Sequence, residues 1–225
     1  MPENLYQAVW IFLVYAFLGW CAEVAFAAVH KGKFVNRGFL NGPVCPIYGV
    51  GMIVVVTLLW GLRSNLILLF LGSAGLTTAL EYATGWILEK FFHDKWWDYS
   101  DKPFNVKGYI CLEFTILWGL AAAFVVGAVH PFVFMLIKKT PFALGITLMA
   151  VCLALFAADL VITVTALARL PKKLNAMLEA ERALKAISDK IGENISDTAI
   201  AAKEKGGELV EESKPRLEEL KAEYE

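Results

Sequence analysis

NRGFLNGPVCPIYGVG, residues 36–51, parts two long apolar runs and carries four glycines, two prolines and a single charge. Gly38, Gly42, Gly49 and Gly51 allow close backbone approach or left-handed turns, while Pro43 and Pro46 remove amide donors and fix φ. That density of breakers is not expected of an ordinary helix interior. Yet Phe39, Leu40, Val44, Ile47 and Tyr48 make the stretch greasy, and irregular backbone at membrane depth survives only where protein or a water-filled cavity covers it. The reading is a semi-buried segment lining a site, with a plain hairpin loop as the alternative.

The flanking sequence fixes the class. Apolar residues are 58% of the chain, charged residues 19%, and mean hydropathy is +0.56, well above a soluble domain. Runs at about 5–29, 44–62, 65–92, 108–129 and 142–168 approach the roughly 20 residues that span a bilayer. The expectation is an all-α, polytopic membrane protein of about five transmembrane helices, residues 1–168, followed by a charged helical tail, 169–225. Between the last two runs, HPFVFMLIKK (130–139) reads as a broken helix end or a short interfacial piece. Thr140 and Pro141 then read as N-cap and first-turn proline of the fifth span.

Lys and Arg near span ends set orientation. Arg63, Lys138 and Lys139 fall on one side. Lys31, Lys33, Arg37, Lys90, Lys95, Lys102, Lys107, Arg169, Lys172 and Lys173 fall on the other. Ten against three places the N-terminus outside and the loops and tail in the cytoplasm of a bacterial cell membrane. In the tail, Leu174, Met177, Leu184, Ile187, Ile191 and Ile195 recur at helical spacing among Lys and Glu, an amphipathic helix. Gly206-Gly207 and Pro215 are read as interrupting it. A solvated helix and a short coiled coil both fit this pattern.

A repeat is read through the first four spans, with chance similarity as the alternative. Gly19-Trp20 and Glu23 recur as Gly85-Trp86 and Glu89, and Arg37-Gly38-Phe39-Leu40 recurs as Lys107-Gly108-Tyr109-Ile110. An asparagine precedes each basic residue, Asn36 and Asn105, and a cysteine opens each following helix, Cys45 and Cys111. Each unit of two spans returns the chain to the same side, so the expectation is a tandem, parallel repeat. All four cysteines, Cys152 and Cys21 included, read as packing thiols, since CxxC spacing is absent.

Ionisable residues within spans are expensive, which makes each a functional hypothesis. Glu23, Glu81, Glu89, Glu113 and Asp159 are such residues. Ser73, Thr77, Glu81 and Thr84 form a polar stripe on one helix face; structural bonding between helices is the alternative role for Glu81, and interfacial anchoring near the headgroups that for Glu23 and Glu89. The candidate substrate-binding set is Glu23, Asn36, Arg37, Glu81, Glu89, Asp98, Asn105, Lys107 and Glu113. The acids supply negative charge there, and Arg37 and Lys107 close the site or pair with an anionic group. Asp98, between Trp97 and Tyr99, is read as folding back onto the cavity mouth. His30, His93 and His130 each stand alone, and no HExxH, GxSxG or P-loop is present. No catalytic residue, metal or cofactor is expected, and the chain is not read as an enzyme.

FLGWCAE (17–23), VNRGFLNGPVCPIYGVG (35–51), LEYATGWILE (80–89) and WDYSDKPFNVKGYICLEF (97–114) together resemble the ABC-transporter type IV, or CmpB-like, family of bacterial membrane proteins. The resemblance covers roughly the first 120 residues, leaving the fifth helix and the tail outside. It implies a permease-like component that binds or moves a small solute. The site expected here faces the cytoplasm between the repeats. The expected partners are the lipid bilayer, the solute, and a separate ATPase subunit or a second copy, with no nucleic acid among them. The alternative is a non-transporting membrane scaffold or regulator that recruits a partner through its C-terminal helix.

Overall fold

The computed structural model describes residues 2–36, 38–93, 95–167 and 175–224. Among them the regular structure is helical: α1 Leu5–Lys31, α2 Pro46–Leu59, α3 Leu66–Phe92, α4 Leu112–Phe124, α5 His130–Lys139, α6 Phe142–Leu167 and α7 Asn175–Tyr224. Four apolar stretches are long enough to cross a membrane: Leu5–Lys31, Leu66–Phe91, Leu112–Lys139 and Phe142–Thr165. The remaining expected span is shorter. α2 with its terminal 3₁₀ turn covers Pro46–Leu62, about 25 Å at 1.5 Å per residue, against about 30 Å of hydrocarbon. Exposed Leu, Ile, Val and Phe line α3, α4 and α6, a surface that water would not tolerate and lipid requires.

Two local expectations are corrected. HPFVFMLIKK is not a broken end, because α4 continues through a π turn, Val125–Val129, straight into α5. Pro131 has no amide to donate and its ring crowds the preceding turn. Widening that turn to i→i+5 bonding absorbs both defects without ending the helix. Thr140 does not cap α6 either. Its amide and its Oγ1 both donate back to the Leu136 carbonyl, at 3.0 and 2.9 Å, so it closes α5. α3 has the cap that α6 lacks, with Asn65 Oδ1 accepting the amides of Ile67 and Leu68 at 3.1 Å.

The chain forms two compact units. The first comprises Met1–Tyr15 and Pro46–Ala150. One core packs Val55, Leu59, Leu69, Ala122 and Val126, and another packs Ile11, Tyr15, Val133 and Ile137. α3 and α4 approach most closely at Gly119, where a Cβ would stand 2.7 Å from Ala74 Cβ, the small-on-small contact membrane helices use. Gly49 does the same for α2, since its missing Cβ would lie 2.5 Å from the Phe12 carbonyl oxygen. Buried His130 shares a hydrogen bond with Tyr15 OH through Nδ1 at 3.2 Å and makes ring contacts with Trp60 and Phe134.

The second unit comprises Ala16–Cys45 and Val151–Glu225. Here α1 buries Trp20, Val24, Ala27 and Ala28. α7 packs against the segment after α1: Phe34 occupies the space a Gly192 side chain would need, and Lys203 Nζ donates to the Val29 carbonyl at 2.8 Å. This corrects the tail in two ways. α7 runs through Gly206-Gly207 and Pro215 without a break; a glycine costs a helix only about 1 kcal/mol, too little to end one of this length. Its packed face keeps part of the expected aliphatic stripe, with Leu184, Ile191 and Ile195 half-buried, but not Ile187, which is 54% exposed, and it adds the buried Ser188, Gly192 and Ser196. Small residues four apart let the Phe34 ring settle against the helix. Leu174 lies outside the described residues, as do Arg169, Lys172 and Lys173.

Candidate functional site

In the first unit the polar chemistry gathers where α3 and α4 are joined by residues 93–111. This connection is itself tightly built. His93 ends α3 in the left-handed conformation (φ 56°), Tyr99 N donates to the Gly108 carbonyl, and Val106 N to that of Ile110. Gly108 has φ 74°, a conformation that disfavours a side chain. Asp98, Ser100 and Lys95 also crowd the space such a side chain would fill. The connection is fastened to the helices by Trp97 Nε1, which donates to the Tyr109 carbonyl at 2.9 Å, and by Tyr99 stacked on Phe114 at 4.6 Å. Gly85, from the repeated Gly-Trp pair, leaves room for the Tyr109 and Trp97 rings.

Glu81 sits beneath this connection. Tyr99 OH donates to its Oε1 at 3.1 Å and Trp118 of α4 is a second side-chain donor beside the carboxylate, while the buried Oε2 has no partner at hydrogen-bond geometry. Along the same face, Thr77 donates to the Ser73 carbonyl at 2.8 Å, and the buried Ser73 Oγ has no partner. Thr78 donates across to Thr115 of α4 at 2.9 Å. Glu89, two turns on, also has a buried oxygen without a partner, Oε2. The Tyr109 phenol is pushed up to about 12, first by its hydrogen bond to the Glu89 carboxylate and then by burial. Unsatisfied buried acceptors are rare and call for explanation. Two carboxylate oxygens and a hydroxyl on one helix make a surface that can receive a donor group.

The other expected residues of this unit have different surroundings. Asp98 is exposed and accepts from the Ser100 hydroxyl and amide and from Lys95, which hold its carboxyl below the usual range. It is Tyr99, not Asp98, that reaches back to a membrane acid. Asn105 donates to the carbonyls of Ser100 and Lys102 and accepts the Gly108 amide. Lys107 has φ 54° and an exposed side chain, and its carbonyl accepts Lys95 Nζ at 3.2 Å. Glu113, exposed in the first turn of α4, pairs with Lys102 at 3.0 Å, and that partner raises the lysine's pKa.

In the second unit the organising group is Asp159 of α6, which is 1% exposed. Its Oδ2 accepts the Gly42 amide at 2.7 Å, and its Oδ1 accepts the Asn41 amide at 3.1 Å, Asn41 Nδ2 at 3.2 Å and Thr163 Oγ1 at 3.3 Å. Four donors compensate one carboxylate inside an apolar helix, as burial of a charge demands. Asn36 is a second hub. Its Oδ1 accepts Trp20 Nε1 at 2.9 Å and Gly38 N at 3.0 Å, and its Nδ2 donates to Ser188 Oγ and the Asn41 carbonyl. Both donors and the oxygen of this amide are therefore engaged within the unit. Glu23 is half-buried on α1. Arg37 lies outside the described residues.

Sequence reasoning singled out Asp159 as a membrane acid but did not place it in the candidate site, and it missed Asn41, Gly42, Thr163, Tyr99 and Tyr109. A signal existed for the first group: Asp159 and Thr163 stand one turn apart in an otherwise apolar run, and Asn41-Gly42-Pro43 offers adjacent amides. Among the described residues no three His, Cys, Asp or Glu side chains converge to hold a metal.

Long apolar helices with carboxylates bonded inside them define a polytopic α-helical membrane protein with polar sites at membrane depth. The chain belongs to the family described as Putative ABC-transporter type IV, which it matches over residues 10–164. That span corrects the extent expected above, for it takes in most of α6 and includes Asp159. No match is found among curated proteins or among solved structures.

Proposed function

We propose that the chain is the permease-like membrane component of a transporter, binding a small solute through a hydrogen-bond-donating or cationic group at Glu81. The observation that carries this reading is the Glu81 carboxylate in a membrane helix: Tyr99 holds Oε1, Trp118 is the other side-chain donor beside the group, and the buried Oε2 has no partner at hydrogen-bond geometry. Glu89 and Ser73 extend the same acceptor surface. Membership of a family named for ABC transporters supports solute movement driven by a separate ATPase subunit, and the chain acts without chemical catalysis. The excess of Lys and Arg on one side supports a cytoplasmic tail and an outside N-terminus.

Tandem duplication also belongs to this reading. In each copy an asparagine oxygen caps a glycine amide just downstream, Asn36 to Gly38 and Asn105 to Gly108. In each copy a buried cysteine leads into the next helix, Cys45 before α2 and Cys111 before α4. The copies differ at tryptophan, since Trp20 is buried and Trp86 is 47% exposed.

Untargeted mass spectrometry of small molecules released from the purified protein tests the proposal. A compound present with wild type and lost with Glu81→Gln supports it, whereas equal recovery from both removes Glu81 from the site. A scaffold role is favoured by a different observation: α7 lies beyond the family match, and residues 201–211 are all exposed. Deleting residues 204–225 spares the Lys203 contact. Loss of activity with solute binding retained would favour that role.

A further inference from the structure

We propose that the end of the first unit bearing Trp60, Phe134 and Lys139 is a binding site for an anionic phospholipid. Three helix ends come to this boundary. The 3₁₀ turn after α2 ends at Leu62, α5 ends at Lys139, and Lys138 Nζ pairs with Glu3, just ahead of α1, at 2.9 Å. Span ends lie at headgroup level, so this is a membrane–water boundary. A cavity of about 470 Å³ opens here, lined by Trp60, Pro131, Phe134, Met135, Lys138 and Lys139. Its walls are apolar and aromatic and its rim is cationic, the combination an acyl chain and a phosphate need together.

The charges are uneven. Among the described residues, the ion pair formed by Arg63, Lys138 and Lys139 is that of Lys138 with Glu3. Arg63 lies over the Trp60 ring at 4.2 Å and Lys138 over the Phe134 ring at 4.8 Å. These contacts hold two cations beside the cavity walls in place. Lys139 is exposed and forms no ion pair among the described residues. Arg63 and Lys139 thus present two cations to a diester phosphate, above an aromatic floor suited to the glycerol and upper acyl carbons. This site involves none of the residues proposed to bind solute.

The test is thermal unfolding of the full chain in neutral detergent, titrated with phosphatidylglycerol, phosphatidylcholine or glycerol 3-phosphate. Phosphatidylglycerol should raise Tm with saturation, and the other two should not. Arg63→Gln with Lys139→Gln should weaken the apparent affinity about tenfold or more, as removal of two cations facing an anionic headgroup does, while Lys139→Arg preserves it. Should the double variant fail to elute as wild type does, Lys139→Gln alone, at an exposed position, is read for the same loss in smaller measure. Equal stabilisation by phosphatidylcholine, a full response to glycerol 3-phosphate, or unchanged affinity in the charge variants would each overturn the proposal.

Discussion

The Asp159 carboxylate accepts the Gly42 backbone amide at 2.7 Å, joining two residues 117 positions apart in sequence. The glycine-rich stretch is therefore not held by its own turns alone. A membrane acid satisfies two consecutive backbone amides, those of Asn41 and Gly42, that no helix or strand could satisfy. Replacing Asp159 by Ala orphans both backbone amides and leaves the Asn41 side-chain amide only Thr163 Oγ1, at 3.0 Å. Breaking a buried charged hydrogen-bond partner costs about 3–5 kcal/mol, so Asp159→Ala should unfold well below wild type in a thermal melt. Asp159→Asn keeps one acceptor and should fall between.

Glycine substitutions should rank by what a Cβ would meet. Gly49→Ala drives a methyl toward the Phe12 carbonyl at 2.5 Å, and backbone does not move aside. Gly108→Ala adds left-handed strain at φ 74° to crowding by Asp98 and Ser100. Gly42→Ala meets side chain and not backbone, Asp159 Oδ2 at 2.9 Å, and Gly61→Ala meets nothing within 4 Å. The first two should cost roughly 1–3 kcal/mol, Gly42→Ala less, and Gly61→Ala almost nothing, as read from detergent-solubilised melting curves.

The tail offers a contrast on a single helix. Gly192→Leu collides with Phe34, and Ser188→Leu removes the acceptor of Asn36 Nδ2. Both should make α7 markedly more sensitive to limited proteolysis, whereas Ile187→Glu, at an exposed position, should not. Equal sensitivity in all three would mean that the aliphatic stripe, not the small-residue face, does the packing.

These outcomes mark what could be read from the residues. The spans were legible because about 20 apolar residues in succession have one physical use. The tail was legible as an amphipathic helix, with Leu184, Ile191 and Ile195 on its half-buried side, but Ser188, Gly192 and Ser196 were not, because they gain their value from a ring that approaches them from elsewhere in the chain. Pro131 signals a break only if the helix cannot widen, and the π turn at Val125–Val129 depends on the packing around it. Of the candidate site, the acids were visible because charge in an apolar run is costly. Their donors were not, since Tyr99 and Gly42 reach Glu81 and Asp159 only through the folded chain.

Tyr109 gives a prediction in pH. Its phenol titrates near 12 instead of about 10, so the fold favours the protonated form. The associated stability is whole below about pH 10 and is lost as pH rises toward 12. Glu89→Gln removes the leading cause and should bring Tyr109 phenolate absorbance in at lower pH, with Tyr109→Phe identifying its share of the signal.

The sharpest measurement is the Kd of the compound that co-purifies with the protein, determined by calorimetry on wild type, Glu81→Gln and Tyr99→Phe. If Glu81 Oε2 receives a donor from the solute, Glu81→Gln should weaken binding by about tenfold or more, the worth of a charge-assisted hydrogen bond. Tyr99→Phe, which frees the other oxygen without removing the acid, should change Kd less. An unchanged Kd in a correctly folded Glu81→Gln protein would contradict the account.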